Sequence, residues 1–273
     1  MDKVSALIVN YGTAPLVLKC VASILEKRVA AAENIIVVDN ASPDDSAAVL
    51  AKELPQGVQF IPSSTNGGFS AGINIGARLV RTEYLLILNP DTYFIDDSFG
   101  QATALLDSKP DIGLVGLNLV YPDGSRQYSA RRFYSLVDIV GRRLPIDLFG
   151  LVARSVKDHL MTDAWEPGVP FDADWVMGTG FVIRTELFHA IGYMDEAFFL
   201  YMEDVDLCAR VWKSGRRVVC MPAARLVHDH QRASHGSPFS RSARMHLQSL
   251  RLFMQRYRVP LVSKPGVPGI FRQ

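Results

Sequence analysis

Polar side chains follow three apolar runs of the sequence at the points where those runs end. They are Asn10-Tyr11, Asp39 and Asn89-Pro90-Asp91. In an open parallel sheet, ligands bind beyond the carboxyl ends of the strands. An ionised carboxylate at such a strand end needs a hydrogen-bonding ligand or a metal ion as its partner. Three polar strand ends together therefore favour a ligand site, whereas each acid taken alone could equally cap the next helix or turn.

A second acidic cluster lies in the segment YMEDVDLCAR, residues 201–210. On a helix, Glu203, Asp206 and Arg210 share one face through the i+3 and i+4 spacings, and Asp204 lies about 100° round from Glu203. The helix dipole favours acids in the first turn, which is the benign interpretation. The apolar residues FFLYM before the cluster nevertheless predict that the acids are held against a core. Partial burial raises the pKa of a carboxylate and makes it a better proton acceptor, so this cluster is a candidate general base.

The segment NGGFSAGIN, residues 66–74, carries glycines where we predict the start of a helix. Glycines there let backbone N–H groups approach an anion, although a tight turn with close helix–sheet packing explains Gly67 and Gly68 as well. His228, in LVHDH, is either a packed strand histidine or a metal ligand. A single glycine, Gly12, follows the first strand, so a GxGxxG sequence is missing there and a dinucleotide-dependent dehydrogenase is disfavoured.

The elements that would position these residues alternate regularly in the first half of the chain. Apolar runs at 4–9, 35–38, 58–61 and 84–88 predict buried strands, and helices are predicted over 14–27, from Ser42 through Leu54, and over 71–80. Strands that are apolar on both faces and alternate with helices are typical of a parallel sheet covered by helices. We therefore expect an α/β fold with a Rossmann-like, mostly parallel sheet flanked by helices.

The second half is less regular. Its patterns predict strands at 112–121, 175–184, 217–221 and 225–228, a helix over 203–214 and a basic amphipathic helix over 241–258. Residues 125–173 are rich in Arg and Pro and have weak periodicity, so we expect a long loop region there.

Composition limits the classes of function. The chain has 273 residues, of which 48% are hydrophobic and 21% charged, and its net charge of +1 gives no reason to expect nucleic-acid binding. Three widely spaced cysteines argue against a disulfide scaffold or a zinc cluster and favour a reducing cytosol. The apolar runs are too short for a membrane span, so we expect a soluble or peripheral protein.

The ordered set of motifs resembles the GT-A glycosyltransferases of family 2, and within them the bacterial rhamnosyltransferase-like branch. The motifs are VVDNAS, NGGFSAGINIG, LLILNPDT, WVMGTGFVIR, FFLYMEDVDLCARVWKSG and LVHDH, and the resemblance runs from about Ser5 to His230. It implies a GT-A domain over 1–235, with a nucleotide-sugar-binding half at 1–120 and an acceptor and catalytic half at 121–235. Residues 236–273 would form a C-terminal amphipathic helix and tail.

By the same resemblance, NPDT stands where the family has its DxD-type motif. Asp91 would bind Mg²⁺ or Mn²⁺ that holds the donor diphosphate, and His228 would be a second protein ligand. Asn89 replaces the first acid of the motif, which leaves Asp91 as its only direct carboxylate ligand and implies modest metal affinity. Asp204 would be the catalytic base of an inverting displacement.

The remaining site residues follow from the resemblance as well. On the donor side, Asp39 would contact the nucleoside, and its base would lie against the first strand end at Asn10 and Tyr11. Three residues would line the nucleotide and donor sugar: Gly67, Gly68 and Asn74. On the acceptor side, Glu203 and Asp206 would be supports or acceptor contacts, and the pocket would be shaped by Trp175 and Gly178. Arg131 and Arg132 would bind an acceptor phosphate or, equally well, form a solvated surface pair.

The resemblance implies transfer from a nucleotide sugar to a glycan or a polyprenyl-diphosphate-linked acceptor in polysaccharide synthesis. dTDP-rhamnose is the preferred donor and a UDP-sugar the alternative. We expect a cytoplasmic protein with peripheral contact at the inner face of the plasma membrane, through a 241–258 helix that could equally pack on the domain or in a homodimer. Two other functions stay open, a sugar-nucleotide nucleotidylyltransferase and a catalytically silent scaffold of this fold. The former is weakened because residues 10–15 carry no basic side chain.

Overall fold

A computed structural model describes residues 3–141, 151–229 and 241–261. In chain order the strands are β1 (Val4–Asn10), β2 (Ile35–Asp39), β3 (Gln59–Pro62), β4 (Tyr84–Leu88), β5 (Thr92–Tyr93), β6 (Ile112–Val120), β7 (Ala130–Arg131), β8 (Phe171–Asp172), β9 (Trp175–Val176), β10 (Gly180–Arg184) and β11 (Arg217–His228). The helices are α1 (Ala14–Glu26), α2 (Ser46–Glu53), α3 (Gly68–Ala77), α4 (Gly100–Ser108), α5 (Leu136–Gly141), α6 (Leu151–His159), α7 (Thr162–Trp165), α8 (Thr185–Ala190), α9 (Glu203–Lys213) and α10 (Arg241–Arg256), with a 3-10 turn at Ala32–Asn34.

Within the described residues, nine strands form one sheet in the order β3-β2-β1-β4-β10-β6-β11-β5, with β8 paired to β11. The pairs β1–β2, β1–β4, β2–β3 and β6–β11 are parallel. β10 is antiparallel to both of its neighbours, β4 and β6. Because β10 reverses between them, β4 and β6 run in the same direction, and the long strands end at one common edge. The predicted mostly parallel α/β sheet is confirmed.

The strands are apolar on both faces because both faces are covered. One face, with Leu7, Ile87 and Phe181, packs against α3 and α9. The other face, with Ile8 and Leu86, packs against α1 and α4. Alternate side chains of a strand point to opposite faces, so a continuous apolar run is what such a sheet requires.

Three element predictions are wrong in detail. Helix α2 begins at Ser46 instead of Ser42, because the Ser42 N–H and hydroxyl both bond back to the Asp39 carboxylate. The run 175–184 is split into β9 and β10, and 217–228 is one strand that carries a register shift between Met221 and Arg225.

The expected long loop over 125–173 is also wrong. This segment contains the helices α5, α6 and α7, and a buried polar cluster joins α5 to α6. The Asp138 carboxylate accepts bonds from the Ser135 and Ser155 hydroxyls, both at 2.6 Å. Residues 142–150 lie outside the described residues.

Helix α10 packs on the domain through Leu250, Phe253 and the following Tyr257, which belong to the core next to α9. Leu247 and Met254, which are i−3 and i+4 neighbours of Leu250 and border this packed face, are exposed. The predicted amphipathic helix is therefore present, and the tail beyond residue 261 lies outside the described residues. Within the described parts of the chain, no helix combines the length and the apolar character that crossing a bilayer requires.

Candidate active site

The sheet edge at which the parallel strands end also receives the start of the reversed strand β10. Gly180 is paired with Leu88, the last residue of β4. Just beyond this pair, the Asn89 N–H donates to the Thr179 carbonyl at 2.9 Å. The residue before Thr179, Gly178, donates its N–H to Oδ2 of Asp204 at 2.8 Å. Two adjacent residues, 178 and 179, thus tie the NPDT segment and the acidic helix to one edge.

Asp91 lies beside His228, the last residue of β11. His228 pairs with Thr92, and the Asp229 N–H donates to the Asp91 carbonyl at 2.9 Å. The side chains meet as well, with 3.3 Å between His228 Nε2 and Asp91 Oδ2. Oδ1 of Asp91 is buried and accepts no hydrogen bond. The sequence-predicted pair of metal residues is therefore brought together.

Gln127 orients the His228 ring. The Gln127 amide nitrogen donates to the His228 carbonyl at 2.8 Å, which turns the amide oxygen toward His228 Nδ1 at 2.7 Å. Nδ1 then carries the proton of the neutral ring, and the lone pair of Nε2 faces the Asp91 carboxylate. Two electron-rich groups that face each other need a cation or a proton between them. This arrangement fits a divalent cation, and a hydrogen bond to the distal ring nitrogen is the usual support for a metal-binding histidine.

Among the described residues, no further acid, histidine or cysteine side chain joins this pair. In residues 3–141, 151–229 and 241–261 no three His, Cys, Asp or Glu side chains converge on a common point. One carboxylate and one imidazole leave most positions of a cation to water or substrate oxygens. Such sparse protein ligation is typical of Mg²⁺, which is commonly held by one or two carboxylates together with substrate phosphates.

Asp204 sits at the second position of α9, after an unusual turn. Tyr201 and Met202 both have φ of +68°, in the left-handed region that non-glycine residues rarely occupy. The turn presents Asp204 half-buried at the sheet edge, where Oδ2 accepts from Gly178 and Oδ1 accepts from the Val205 N–H at 2.8 Å. Backbone strain of this kind is found at functional sites, where the surrounding structure holds it in place.

The two neighbouring acids differ in their environment. Burial raises the pKa of Asp204, while the Gly178 and Val205 N–H groups and the Arg131 charge oppose the rise. Burial, and then the Asp204 charge, raise the pKa of Glu203 to about 8. Oε2 of Glu203 is buried without a hydrogen-bond partner. With a pKa of about 8, Glu203 is mostly protonated at neutral pH, while the two N–H groups and the Arg131 charge favour the carboxylate form of Asp204.

Arg131 and Arg132 are engaged by the protein and do not form a solvated surface pair. The Arg131 guanidinium lies 5.3 Å from the centre of the Trp175 ring, and Arg132 forms an ion pair with Asp174 at 3.1 Å. Trp175 is buried, and its indole N–H donates to the Arg132 carbonyl at 2.8 Å. Trp175 thus fixes the backbone that carries both arginines.

On the donor side, Asn10 and Asp39 bind each other. The Asn10 amide donates to Asp39 Oδ1 at 2.7 Å, and the Ser42 hydroxyl donates to the same oxygen at 2.6 Å. Both residues are fully or almost fully buried. The Asp39 carboxylate thus organises the turn after β2, and its contact with a nucleoside stays a prediction. Tyr11 is 48% exposed and lines a cavity of about 370 Å³ together with Phe69 and Phe199.

The glycine turn before α3 is explained by packing. Gly68 has φ of +87°, and a side chain there would overlap the Phe199 backbone. The N–H groups of Gly67 and Gly68 already donate to the Asn40 and Asn66 side chains, at 3.3 and 2.9 Å. These donors are therefore used within the protein, and the tight-turn interpretation of this motif is the one that fits.

Asn74 and Asp206 also bind protein groups in place of substrate. Asn74 donates to the Met194 carbonyl and accepts from the Met194 N–H, both at 2.9 Å, which corrects its expected place beside the donor sugar. Asp206 accepts from Arg210 and Tyr257, each at 2.8 Å, and is 1% exposed. Of the two roles left open for Asp206, its contacts are those of a support. Gln127, Thr179 and Tyr257 were not found from the sequence because their partners are more than 50 residues away.

The model of the family "Glycosyl transferase family 2" matches residues 5–191, so Asp204 and His228 lie beyond the matched range. "N-acetylglucosaminyl-diphospho-decaprenol L-rhamnosyltransferase" of Mycobacterium tuberculosis is 26% identical over 244 residues, 82% of this chain and 75% of the relative. "Rhamnosyltransferase WbbL" of Escherichia coli is 27% identical over 229 residues, 79% of this chain and 81% of the relative.

Solved glycosyltransferases share the fold. A mannosyltransferase from Pyrobaculum calidifontis in complex with GDP-Man and Mn²⁺ aligns with a TM-score of 0.61 at 16% identity, over 94% of this chain and 66% of that one. GalNAc-T7 with UDP, GalNAc and Mn²⁺ aligns with a TM-score of 0.62 at 15% identity, over 91% of this chain, which spans about half (47%) of that structure. These similarities establish the GT-A fold. Because the family model covers well over half of the residues, the chain belongs to glycosyltransferase family 2.

Proposed function

We propose that this chain is an inverting glycosyltransferase of bacterial polysaccharide synthesis, which transfers a sugar from a nucleotide donor to an acceptor hydroxyl. The observation that carries the proposal is the tie at residues 178 and 179. Through it the Asp91–His228 pair and the Asp204 carboxylate share one sheet edge. An inverting displacement needs a base on the acceptor side and a charge-stabilising site on the leaving-group side, and these two groups supply them.

Asp204 is the proposed base. It is half-buried, it is held by two backbone N–H groups, and the neighbouring Glu203 is neutral at pH 7. Asp204 would take the proton of the acceptor hydroxyl as the oxygen attacks the anomeric carbon of the donor. A positioned base of this kind contributes about 10²–10⁴ in rate.

Asp91 and His228 would hold Mg²⁺ or Mn²⁺. When bound, such an ion stabilises the negative charge of the departing diphosphate. The partnerless Asp91 Oδ1 and the orientation of His228 by Gln127 support this assignment. Asn89 is tied to Thr179, so it places Asp91 without adding a carboxylate.

The donor that we propose is dTDP-rhamnose, with UDP-hexoses as the alternative. The proposal draws on the two relatives that carry rhamnosyltransferase names. The acceptor would be a lipid-linked sugar, since the mycobacterial relative is named for N-acetylglucosaminyl-diphospho-decaprenol. The cations that we propose for an acceptor phosphate are Arg131, against the Trp175 ring, and Arg132, which is paired with Asp174.

The test uses dTDP-rhamnose, Mn²⁺ and a polyprenyl-diphosphate-linked N-acetylglucosamine, with UDP-glucose in parallel. We expect transfer by the wild type, at least a ~10²-fold loss of kcat in Asp204→Asn, and unchanged binding of dTDP to that variant. Asp229→Asn, one residue beyond His228, is a control that removes a carboxylate outside the proposed roles. Full turnover by Asp204→Asn would exclude Asp204 as the base. Release of a nucleoside triphosphate on adding diphosphate would instead indicate a nucleotidylyltransferase.

We further propose that α10 brings the protein to the membrane surface at its inner face. Leu247 is 55% and Met254 38% exposed, and Arg244 and Arg251 are exposed beside them. A basic helix that exposes apolar side chains to solvent suits an anionic bilayer surface. Leu247→Ser/Met254→Ser should lower sedimentation with phosphatidylglycerol vesicles, while Leu79→Ser, an exposed leucine on another surface, should not. Equal sedimentation of all forms would exclude the contact, and a shift from dimer to monomer would assign this surface to a homodimer.

A further inference from the structure

Helix α10 holds the segment that leads into the catalytic turn. The Ser249 hydroxyl donates to the Leu200 carbonyl at 2.8 Å, and the His246 ring lies 5.0 Å from the Tyr201 ring. Farther along the helix, Arg256 forms an ion pair with Asp195 and lies 5.2 Å from the Phe198 ring. The residues that lead into the left-handed turn at 201–202, and Tyr201 within it, are therefore bound by one element from the far end of the chain.

Tyr257, directly after α10, reaches α9 itself. Its hydroxyl donates to Asp206 Oδ1 at 2.8 Å, in a buried bond. Oδ2 of the same carboxylate accepts from Arg210 at 2.8 Å, and Arg210 also donates to the carbonyls of Ile191 and Tyr193. Asp206 thus fixes the first turn of α9 from both sides.

Asp204 is two residues before Asp206, in the same turn of helix. Its bond to the Gly178 N–H leaves little freedom, since a Cβ on Gly178 would already be 3.3 Å from the Asp204 Cβ. A small rotation of the first turn of α9 would lengthen this bond and turn the carboxylate away from the sheet edge. Displacements of about 1 Å at a reacting group can cost ~10²-fold in rate.

We propose that Tyr257 is a positioning residue, which sets the orientation of Asp204 through Asp206 and the first turn of α9. The inference rests on the proposed role of Asp204 as the base. It extends the active site to α10, which lies outside the range that the family model matches. The segment 198–202 is also bonded on its other side, where the Phe199 and Phe198 carbonyls accept from Phe69 and Ser70, each at 2.9 Å. The segment that leads to Asp204 is therefore held between the start of α3 on one side and α10 with Tyr257 on the other, an arrangement that we call the clamp.

The matched pair of variants is Tyr257→Phe and Tyr84→Phe. Each removes one tyrosine hydroxyl that donates to an aspartate, at 2.8 Å to Asp206 and at 2.6 Å to Asp107. Tyr84 is the first residue of β4, at the sheet edge opposite to the site. Rates are measured with dTDP-rhamnose, Mn²⁺ and the polyprenyl-diphosphate-linked acceptor, well below the melting temperature of each variant.

We expect Tyr257→Phe to lower kcat about tenfold with donor KM unchanged, and Tyr84→Phe to keep the wild-type kcat. Asp206→Asn/Tyr257→Phe should lose little more than Asp206→Asn alone, because the bond that Tyr257→Phe removes is already weakened by Asp206→Asn. Equal kcat for Tyr257→Phe and the wild type would overturn the inference. If Tyr257→Phe does not fold, Ser249→Ala tests the same clamp with the same expectation.

A second measurement does not depend on the donor. Amide hydrogen exchange of residues 175–180 and 203–207 should become several-fold faster in Tyr257→Phe and stay unchanged in Tyr84→Phe. Unchanged exchange at both segments would overturn the inference. If Asp204→Asn keeps full turnover while exchange in Tyr257→Phe does accelerate, the proposed role of Asp204 as the base fails and the structural coupling stands.

Discussion

Gly68→Ala tests how the glycine turn supports the site. Gly68 has φ of +87°, and an alanine Cβ there would lie 2.8 Å from Cγ and 2.9 Å from the carbonyl carbon of Phe199, and closer still to its oxygen. The left-handed conformation alone costs an L-residue roughly 1–2 kcal/mol. Relief of the overlap requires Phe199 to move, which adds about 1–3 kcal/mol of overpacking.

Gly192→Ala supplies the control, because Gly192 has φ of +88° with nothing within 4 Å of the added Cβ. Both variants then pay the same conformational cost, and the difference between their free energies of unfolding measures the overlap with Phe199. We expect Gly68→Ala to be about 2 kcal/mol less stable than Gly192→Ala, from the overpacking range. For a chain of this size that corresponds to a melting temperature roughly 4–8 °C lower.

Urea unfolding at 25 °C, followed by the fluorescence of the buried Trp165 and Trp175, measures both free energies. Because Phe199 leads into the turn before Asp204, Gly68→Ala should also lower kcat. Stabilities of the two variants within about 0.5 kcal/mol, a typical limit for uncoupled surface changes, would refute the packing explanation.

Three further predictions concern the carboxylates and the proposed cation. Since Asp204 must be ionised to act, kcat/KM should fall as the pH drops through its raised pKa. Arg131→Met should move this fall to higher pH, because the Arg131 charge lowers the pKa of Asp204, and Arg131→Lys should return the profile to that of the wild type. Identical pH profiles for all three proteins would exclude the effect of Arg131. Burial raises the pKa of Glu203 to about 8, so the folded state favours its protonated form and stability is lost as the pH rises from the unfolded value near 4.5 through 8. Glu203→Gln should therefore be more stable than the wild type above pH 8 and equal to it near pH 5, in urea titrations at the two pH values. Gln127→Leu should weaken Mn²⁺ binding about 10–100-fold in calorimetric titrations with dTDP, because the His228 ring loses its orienting bond; unchanged affinity would remove His228 from the proposed ligands.

The strands could be predicted from sequence because burial on both faces leaves an unmistakable apolar run. The edges of β4 match the prediction to the residue, and β1 and β2 differ by one residue at the end. Family motifs identified the two carboxylates, and geometry then placed both at one sheet edge. The polar partners of these residues were not predictable, since Gln127 and Tyr257 reach their sites across the fold.

Other errors have specific physical causes. The apolar run 175–184 predicts one strand. Residues 177–179 instead lie outside both β9 and β10, and the Gly178 N–H donates to Asp204. Nothing in WVMGTGFVIR announces this donation, apart from its glycines. The helices within 125–173 were missed because Asp138, Ser135 and Ser155 satisfy one another inside the protein, and such buried polar residues resemble a loop in sequence.

The reversed strand β10 has a mechanical consequence. It comes from the second half of the chain yet is bonded between β4 and β6, which both come from the first half. The two halves therefore share one hydrogen-bonded sheet, and they cannot open and close by a hinge motion without breaking it. Since Gly178, just before β10, holds the Asp204 carboxylate, the separation between Asp204 and the end of β4 is set by the pairing of the strands.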